Sequence, residues 1–365
     1  MIEKGKIGVH QFTILTVLFT VGSSILIAPS GLAHDAKQDA WIAAALGLGV
    51  GLLTILLYNR ITVRYPSKTL VACCQEAFGA WVGGFISFLY FGYFFMLAAL
   101  VLRNIGDFMT TQVLPNTPIQ FIHALFLFVV IMGLRNGLET ITRTAEIFLP
   151  WVLFFFLIMV VLLPPKFDYH NLLPVFGYGM KPTVRASIPL ISTPYMELIV
   201  FLMIFPHVSN APKARKAFLA GTFIGGMLLV VIALLSILVL GSELTARHLY
   251  PSYSLAKKIS IGKFLERLEV VMAGIWFITI YFKLAICFYG SATTLAELFK
   301  LKEVKQLYLP LGIIIIVFSV VAYPNIAYFM LFGSKIDFPY SFPYAYIIPF
   351  ALLLTARFRN KNMRQ

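Results

Sequence analysis

Long apolar runs follow one another along nearly the whole chain, and they limit its possible folds more than any other feature. A helix that crosses a bilayer needs about 20 apolar residues. Of the 365 residues, 60% are hydrophobic and 12% are charged, whereas a soluble domain usually carries about 25% charged residues. The pattern excludes a water-soluble globule. It predicts an all-α polytopic membrane protein in contact with membrane lipid, with no separate soluble domain.

Ten apolar runs can be delimited, and each predicts one transmembrane helix. The first is too long for the core of a signal peptide, so we expect it to be a retained helix. The fourth should begin with Thr117 as its N-cap and Pro118 as its first helical residue. Residues 1–365 are expected to form a single integral membrane domain. The runs cover residues 11–33, 40–58, 82–102, 119–134, 147–163, 186–206, 219–240, 268–290, 307–323 and 341–356.

Basic residues predict the orientation. The net charge is +14, but the Lys and Arg residues form short clusters between apolar runs and not one phosphate-binding face, so no nucleic-acid partner is predicted. Placing the N-terminus in the cytoplasm puts most clusters inside, and an even number of spans then puts both termini inside. The longer connections at 164–182 and 242–266 fall outside, where they either cap a site or only join helices. The inner clusters lie at 4–6, 60–68, 135–143, 213–216, 300–305 and 357–364.

Helix-breaking residues interrupt the first and the sixth run. The first contains Gly22-Ser23-Ser24 and later Pro29, and the sixth contains Pro189 and then Ser192-Thr193-Pro194. Matching breaks in two five-helix halves are typical of an inverted repeat with a binding site near the bilayer midplane. The pattern predicts a 5+5 inverted repeat, the first repeat covering about 11–163 and the second about 183–356.

An unwound turn leaves backbone polar groups that are costly in hydrocarbon unless something polar satisfies them. The positive end of a half-helix after Ser24 would suit a carboxylate, and carbonyls freed between Ile191 and Thr193 would suit an ammonium group. Together they predict a site for an amino-acid-sized zwitterion that includes Gly22, Ser23 and Thr193. The alternative is that both breaks are kinks whose backbone groups bond to Ser and Thr side chains.

Few charged residues lie inside the predicted spans, where charges are usually paired or functional. Arg103 and Asp107 are four residues apart, so a local ion pair is expected. Glu197 falls in the first turn after the sixth break, where the helix dipole stabilises a carboxylate. Lys283 has three open interpretations: it replaces a coupling cation beside the first helix, it contacts a carbonyl, or it pairs with Glu197.

Three aromatic residues are candidates for the pocket wall: Tyr93, Tyr195 and Phe342. Aromatic residues make up 15% of the chain, however, so most of them must serve packing or the membrane interface. Glycine patterns at 47–51 and 221–226 lie within apolar runs, where small residues allow two helices to approach closely. We therefore predict that they are packing sites and not nucleotide-binding loops.

Sites for catalysis or metal binding are not predicted. The three cysteines, Cys73, Cys74 and Cys287, lack the spacing of a disulfide framework or a zinc site. The six histidines show no ligand spacing, and the sequence has no nucleophile elbow, phosphate loop or paired catalytic carboxylates. The chain is expected to be neither an enzyme nor a cofactor-binding protein.

Several segments resemble the B subunit of the spore germinant receptors, the spore germination permease family within the amino acid, polyamine and organocation transporter superfamily. The resemblance covers essentially the whole chain. Its segments are Asn171-Leu-Leu-Pro174-Val175-Phe-Gly177-Tyr-Gly179, Leu244-Thr245 through Tyr250-Pro251 to Leu255, Gly262-Lys-Phe-Leu-Glu266-Arg267-Leu-Glu269, Trp276, Thr117-Pro118-Ile119-Gln120 and Gly92-Tyr93-Phe94.

This resemblance implies a ten-helix inverted repeat in the inner membrane of a dormant spore. It also implies that the chain recognises a small-molecule germinant beside a larger A subunit and a C lipoprotein. Gly22 matches the glycine that the family carries at the first break, whereas some members have a small polar residue in place of Lys283. The Glu266-Arg267-x-Glu269 cluster either starts the eighth helix or contacts a partner subunit.

The function predicted first is a non-enzymatic sensor that binds a small nutrient, in the first instance an amino acid, and signals to partner subunits. Binding would shift a two-state helix arrangement through a difference in affinity between the states. The rivals are a proton-coupled amino-acid transporter that uses Lys283 or Glu197, and a scaffold with a vestigial pocket.

Overall fold

The computed structural model describes residues 5–259 and 268–362, and these are almost entirely helical. Helices account for 86% of the structure, and the described ranges contain no β-strand, only an isolated bridge between Ile7 and Val208. Within a bilayer a helix satisfies its own backbone N–H and C=O groups. The predicted all-α membrane fold is therefore confirmed.

Sixteen α-helices are found in the described residues, and each predicted apolar run overlaps at least one of them. The first half of the chain forms α1 (Val9–Val21), α2 (Ser24–Ala36), α3 (Ala40–Arg64), α4 (Leu70–Phe78), α5 (Ala80–Phe108), α6 (Ile119–Arg135) and α7 (Leu138–Leu162). The second half forms α8 (Met180–Leu190), α9 (Phe201–Ile204), α10 (Ala211–Arg247), α11 (Pro251–Lys257), α12 (Glu269–Leu298), α13 (Lys305–Val321), α14 (Ile326–Lys335), α15 (Asp337–Phe342) and α16 (Ile348–Asn362).

The number of membrane spans is less definite than the helical fold. In the described ranges, seven helical stretches are long and apolar enough to cross a bilayer, and α13 with α14 makes an eighth if this pair, bent by 96°, is one span. The helices α1 and α6 are apolar but shorter. The count of ten spans therefore stays a prediction.

The predicted start of the fourth run is wrong by one residue. The helix α6 begins at Ile119, and Pro118 occupies the N-cap position with extended backbone (ψ 133°) and no side-chain cap. Thr117 thus precedes the cap. The φ of Pro118, −58°, is compatible with a helix, but its extended ψ is not, so Pro118 is the last residue of the loop.

Glycines at two of the predicted packing sites do bring helices together. A Cβ added at Gly221 or Gly225 on α10 would lie 2.7 Å from a Thr Cβ on α1, Thr16 or Thr20 respectively. These two contacts, about one turn apart on each helix, hold α1 close to α10. In α3, a Cβ added at Gly47 or Gly51 would lie 3.1 Å from Leu190 or 2.5 Å from Tyr195, so these two glycines are packing contacts, whereas Gly49 has nothing within 4 Å of such a Cβ.

Hydrogen bonds between connections show which helix ends share a side of the protein. The Ile7 N–H donates to the His207 carbonyl (2.9 Å), so the N-terminal segment lies beside the connection that precedes α10. Both carboxylate oxygens of Asp39 accept from the Phe176 N–H (3.1 and 3.0 Å), so the α2–α3 and α7–α8 connections lie together. The topology predicted from the basic clusters likewise places the N-terminal segment on the same side as the connection before α10, and the α2–α3 connection on the same side as the α7–α8 connection.

Candidate functional site

The first break separates α1 from α2 at Gly22 and Ser23. Gly22 has φ +25° and ψ −123°, and its N–H still donates to the Leu18 carbonyl. A Cβ here would lie 2.6 Å from both the Phe19 carbonyl oxygen and Lys283 Cδ. Only glycine fits this backbone and this contact. The new helix α2 starts with no side-chain cap, so its first N–H groups keep their capacity to bind an anion.

The second break follows α8, in a π turn at Ile191–Tyr195 and a 3₁₀ turn at Met196–Val200. Thr193 leaves the helical conformation, with φ −115° and ψ 109°. Glu197 lies in the first turn after the break, as predicted. The interruptions occur at Gly22-Ser23 and at Thr193, whereas Pro29 and Pro189 are accommodated inside helices.

A buried ion pair connects the two breaks. Lys283 Nζ on α12 lies 2.6 Å from Glu197 Oε2, and the exposed fractions of the two side chains are 0% and 5%. The same ammonium donates to Ser23 Oγ at 3.0 Å, and Thr279 Oγ1, one turn away on α12, donates to the Gly22 carbonyl at 3.2 Å. Of the interpretations left open for Lys283, the structure shows the pair with Glu197.

A second carboxylate lies on the other side of Thr193. The Thr193 hydroxyl is 3.2 Å from Glu197 Oε1 and 3.0 Å from Asp337 Oδ2, at the start of α15. A hydroxyl carries one proton, so it donates fully to only one ionised carboxylate at a time. Two acids and one ammonium therefore meet at the breaks, and the hydroxyl cannot make up the difference.

A cavity of about 540 Å³ opens beside both breaks, a volume in the usual range of about 300–1,000 Å³ for ligand pockets. Helices α2, α5, α8 and α14 supply most of its walls, which are mainly apolar. Charged side chains surround its open end: Asp35, Arg185 and Lys335. Its buried polar lining consists of Ser23, Ser24, Ser30, Asn104, Glu197 and Asp337, and the half-buried Thr193 lies beside them.

Two polar lining groups have no partner in the described structure. Ser24 Oγ and Asn104 Oδ1 are buried without a hydrogen bond, although the two residues are only 4% and 6% exposed. Buried polar atoms normally find a partner. The cavity is thus lined by groups that a polar ligand would satisfy.

The structure brings most of the predicted site residues together, in two layers. Ser23, Ser24, Thr193 and Glu197 line the cavity. Gly22 and Lys283 lie behind that lining, against each other, and Lys283 holds Ser23 and Glu197 in place. Lys283 therefore positions lining residues and does not itself line the cavity.

The three predicted aromatic residues lie apart from the cavity lining. Tyr93 is fully buried and stacks on Tyr344 at 4.4 Å between ring centroids. The ring of Tyr195 packs against the backbone at Gly51, whose added Cβ would lie 2.5 Å from Tyr195 Cγ. Phe342 borders a separate apolar groove beside α3. None of the three residues belongs to the lining of the cavity beside the breaks.

Three buried polar lining residues were missed from sequence: Ser30, Asn104 and Asp337. Asp337 precedes the last apolar run by four residues, so the sequence places it in a connection between helices. In the structure it is only 8% exposed. Its carboxylate next to the apolar segment is a signal that could have identified it. Asn104 sits beside the conspicuous Arg103 and carries no sequence signal of its own.

The expected Arg103–Asp107 pair is confirmed, with Nε 2.9 Å from Oδ1. Arg103 also donates to the carbonyls of Ser319 and Val320 on α13, so the pair joins two helices. Glu269 is the first residue of α12, which agrees with a helix start. Glu266 and Arg267 of the same cluster lie outside the described residues.

Sequence relatives fall in one family. The family model described as "Spore germination protein" matches residues 6–327. Spore germination protein KB of Bacillus subtilis (strain 168) is 30% identical over 364 residues, which are 99% of this chain and 97% of that protein. Spore germination protein A2 of the same organism is 25% identical over 363 residues, 98% of this chain and 97% of the relative.

Solved structures with the same fold are transporters. The nucleobase-cation-symport-1 family transporter Mhp1, in a closed conformation with bromovinylhydantoin bound, matches 90% of this chain and 75% of its own with a TM-score of 0.66 at 13% identity. MhsT in complex with L-phenylalanine matches 94% and 97% with a TM-score of 0.68 at 11% identity. Both have the LeuT fold. The chain, a helical membrane protein with a transporter-like fold, belongs to the spore germination protein family.

Proposed function

We propose that the chain is the germinant-sensing membrane subunit of a spore germinant receptor, and that a small nutrient binds in the cavity beside the two helix breaks. The observation that carries this proposal is the placement of unpartnered Ser24 and Asn104 oxygens in a cavity of about 540 Å³. The uncapped start of α2 suits a carboxylate, so an amino acid is the first candidate.

A thermal-unfolding screen of the purified full chain tests this proposal. A ligand that binds only the folded state raises the unfolding midpoint, by an amount that grows with concentration above Kd. We expect a concentration-dependent rise with at least one amino acid, sugar or nucleoside. A control variant, Ser24→Trp, fills the cavity and should remove the rise. An unchanged midpoint with every nutrient would contradict the proposal.

Signalling requires partners, and we place the chain beside an A subunit and a C lipoprotein. The names of the relatives, spore germination proteins KB and A2 of B. subtilis, support a role in germination. A ligand that prefers one of two helix arrangements shifts their populations. The broken helices, which contact α12 through Lys283, are the elements that such a shift would move. Co-purification of the chain with an A subunit measures this interaction. We expect added nutrient to weaken or strengthen it.

The second candidate is a proton-coupled amino-acid transporter. One observation favours it: Glu197 and Asp337 flank a single hydroxyl, and the one buried ammonium is paired with Glu197, so a proton is the simplest way to balance the second negative charge. Uptake of labelled amino acid by proteoliposomes containing the chain alone, driven by a pH gradient, would support transport. Binding without uptake would support the sensor.

For the location, we propose the inner membrane of the spore with both termini cytoplasmic. Ser209 and Tyr178 are exposed and lie just beyond the two ends of the candidate span Met180–His207. The native cysteines are buried, and burial raises the pKa of the Cys73 thiol and raises that of Cys74 to about 12, so their reaction with labels should be slow. A membrane-impermeant reagent should label Tyr178→Cys from outside, whereas labelling of Ser209→Cys from outside would reverse the topology.

A further inference from the structure

Among the described residues, Asp337 is the acidic group of the cavity for which the structure shows no cationic partner. The residue is 8% exposed and lines the cavity. The hydroxyls of Ser192 and Thr193 face it, and no ion pair to it occurs among the described residues. The buried ammonium of the site, Lys283, is already paired with Glu197 at 2.6 Å.

A buried carboxylate in this position needs a positive charge. Removing an ion from water is costly unless an opposite charge or several hydrogen bonds compensate. The hydroxyl of Thr193 divides one proton between two acids, and Lys335, which also lines the cavity, is exposed at its open end. The protein therefore leaves Asp337 incompletely compensated, and it does so on the surface of the cavity.

The polar lining is also divided by chemistry. Asp337 and Asn104 Oδ1 offer acceptors, and Asn104 Oδ1 has no partner. Ser24 Oγ, also without a partner, and the uncapped N–H groups at the start of α2 offer donors. An ammonium group is a compact donor of three hydrogen bonds with a full positive charge, and a carboxylate is an acceptor only.

We infer that Asp337 is the counter-ion for the ammonium group of the ligand, so that the cavity takes small molecules with a protonated amine, primary amino acids above all. The carboxylate of such a ligand would lie toward Ser24 and the start of α2. This inference rests on the proposed function, because it names the ligand class of the same cavity. A neutral sugar or nucleoside would leave the charge of Asp337 without a partner.

The test uses the purified full-length protein and matched pairs of probes. Binding of the twenty common L-amino acids, of the 2-hydroxy acid analogue of each one that binds, and of D-glucose and inosine is measured by equilibrium dialysis. We expect amines to bind and their hydroxy analogues to bind far more weakly. Asp337→Asn should weaken amine binding about 30-fold or more, as for truncation of one partner of a buried charge pair. Asp337→Glu should keep part of the affinity.

A matched control is Asp35→Asn, which removes a carboxylate at the open end of the same cavity, where Arg185 lies 3.7 Å away. Its affinity for amines should equal that of the wild type. In the absence of ligand, Asp337→Asn should unfold at the wild-type midpoint or above it, because it removes an uncompensated charge. A lower midpoint would mean that the protein itself compensates Asp337, which would overturn the inference.

Failure of the inference differs from failure of the proposed function. If amines bind equally well to the wild type and to Asp337→Asn, Asp337 is not the counter-ion, and the proposed site stands. If only the sugar, the nucleoside or the hydroxy acids bind, the ligand class is wrong, and the cavity still binds a nutrient. If none of the probes binds, both proposals fall.

Discussion

Two buried ion pairs of the described residues, Arg103–Asp107 and Lys283–Glu197, differ in how completely their charges are satisfied. Arg103 donates to Asp107 and to two carbonyls of α13, and the second oxygen of Asp107 accepts from the Tyr323 hydroxyl at 2.6 Å. The guanidinium also lies 4.6 Å from the centre of the Tyr323 ring. Each charge in this cluster has several partners, and the cluster joins α5 to α13.

The Lys283–Glu197 pair is more deeply buried but less complete. It joins the two breaks to α12, and Asp337 adds a second carboxylate that the single ammonium does not match. It also borders the cavity through Ser23 and Glu197. Burial of a charge therefore does not by itself mark a functional site. An unbalanced charge that faces a cavity is the more specific sign.

The largest effect is expected for Lys283→Met. It leaves Glu197 buried without its cation, and removal of one partner of a buried pair costs about 3–5 kcal/mol. The unfolding midpoint of the purified protein should fall strongly. The double variant Lys283→Met/Glu197→Gln removes both charges and should recover most of the loss. If the double variant is no more stable than the single one, the ion pair is not what stabilises the breaks.

A smaller loss of stability, and no change in ligand affinity, is expected for Arg103→Met. Asp107 keeps its bond from Tyr323, so the loss should be about 1.5–3 kcal/mol, the range for hydrogen bonds to charged groups. The midpoint and the Kd are measured on the same preparation. A weaker ligand affinity in this variant would join the two clusters energetically and remove the contrast between them.

Backbone strain at the first break gives the third prediction. Gly22→Ala places a Cβ against Lys283 and Phe19 at positive φ, and this conformation costs roughly 1–2 kcal/mol for a residue other than glycine. The variant should therefore bind nutrient more weakly and lose stability. Gly49→Ala is the matched control, since nothing lies within 4 Å of its Cβ, and it should leave both properties intact or improve stability. Equal behaviour of the two variants would show that the break does not need glycine.

The sequence predicted the breaks well because their causes are local. Gly22 has a backbone that favours glycine, and Thr193 precedes a proline, so both signals lie in the residues themselves. The sequence could not predict whether Tyr93, Tyr195 and Phe342 face the cavity. A helix that is apolar all round has no polar face to mark which of its sides meets a cavity.

Asp337 was not predicted as a site residue for a different reason. Its importance depends on the packing of α15 against the second break, nearly 150 residues earlier in the chain, where Thr193 lies 3.0 Å away. The local sequence shows a carboxylate beside an apolar run, but it does not show which distant residue that carboxylate contacts. The Lys283–Glu197 pair was one of several open interpretations for the same reason, since only the fold decides which buried charges meet.

The smallest effect separates a binding group from a structural one within the same cavity wall. Ser24 Oγ has no hydrogen-bond partner, whereas Ser30 Oγ, two turns along α2, donates to the Ala246 carbonyl at 3.2 Å. Ser24→Ala should therefore leave the stability of the ligand-free protein unchanged or slightly raised, but weaken nutrient binding about fivefold, the equivalent of one ordinary hydrogen bond of about 1 kcal/mol. Ser30→Ala should do the opposite, with a loss of about 0.5–1.5 kcal/mol in stability and an unchanged Kd.

Unfolding midpoints without ligand and Kd values from dialysis give both readouts for each variant. If Ser24→Ala loses stability and keeps its affinity, Ser24 has a partner within the protein, and the donor side of the proposed site must lie elsewhere.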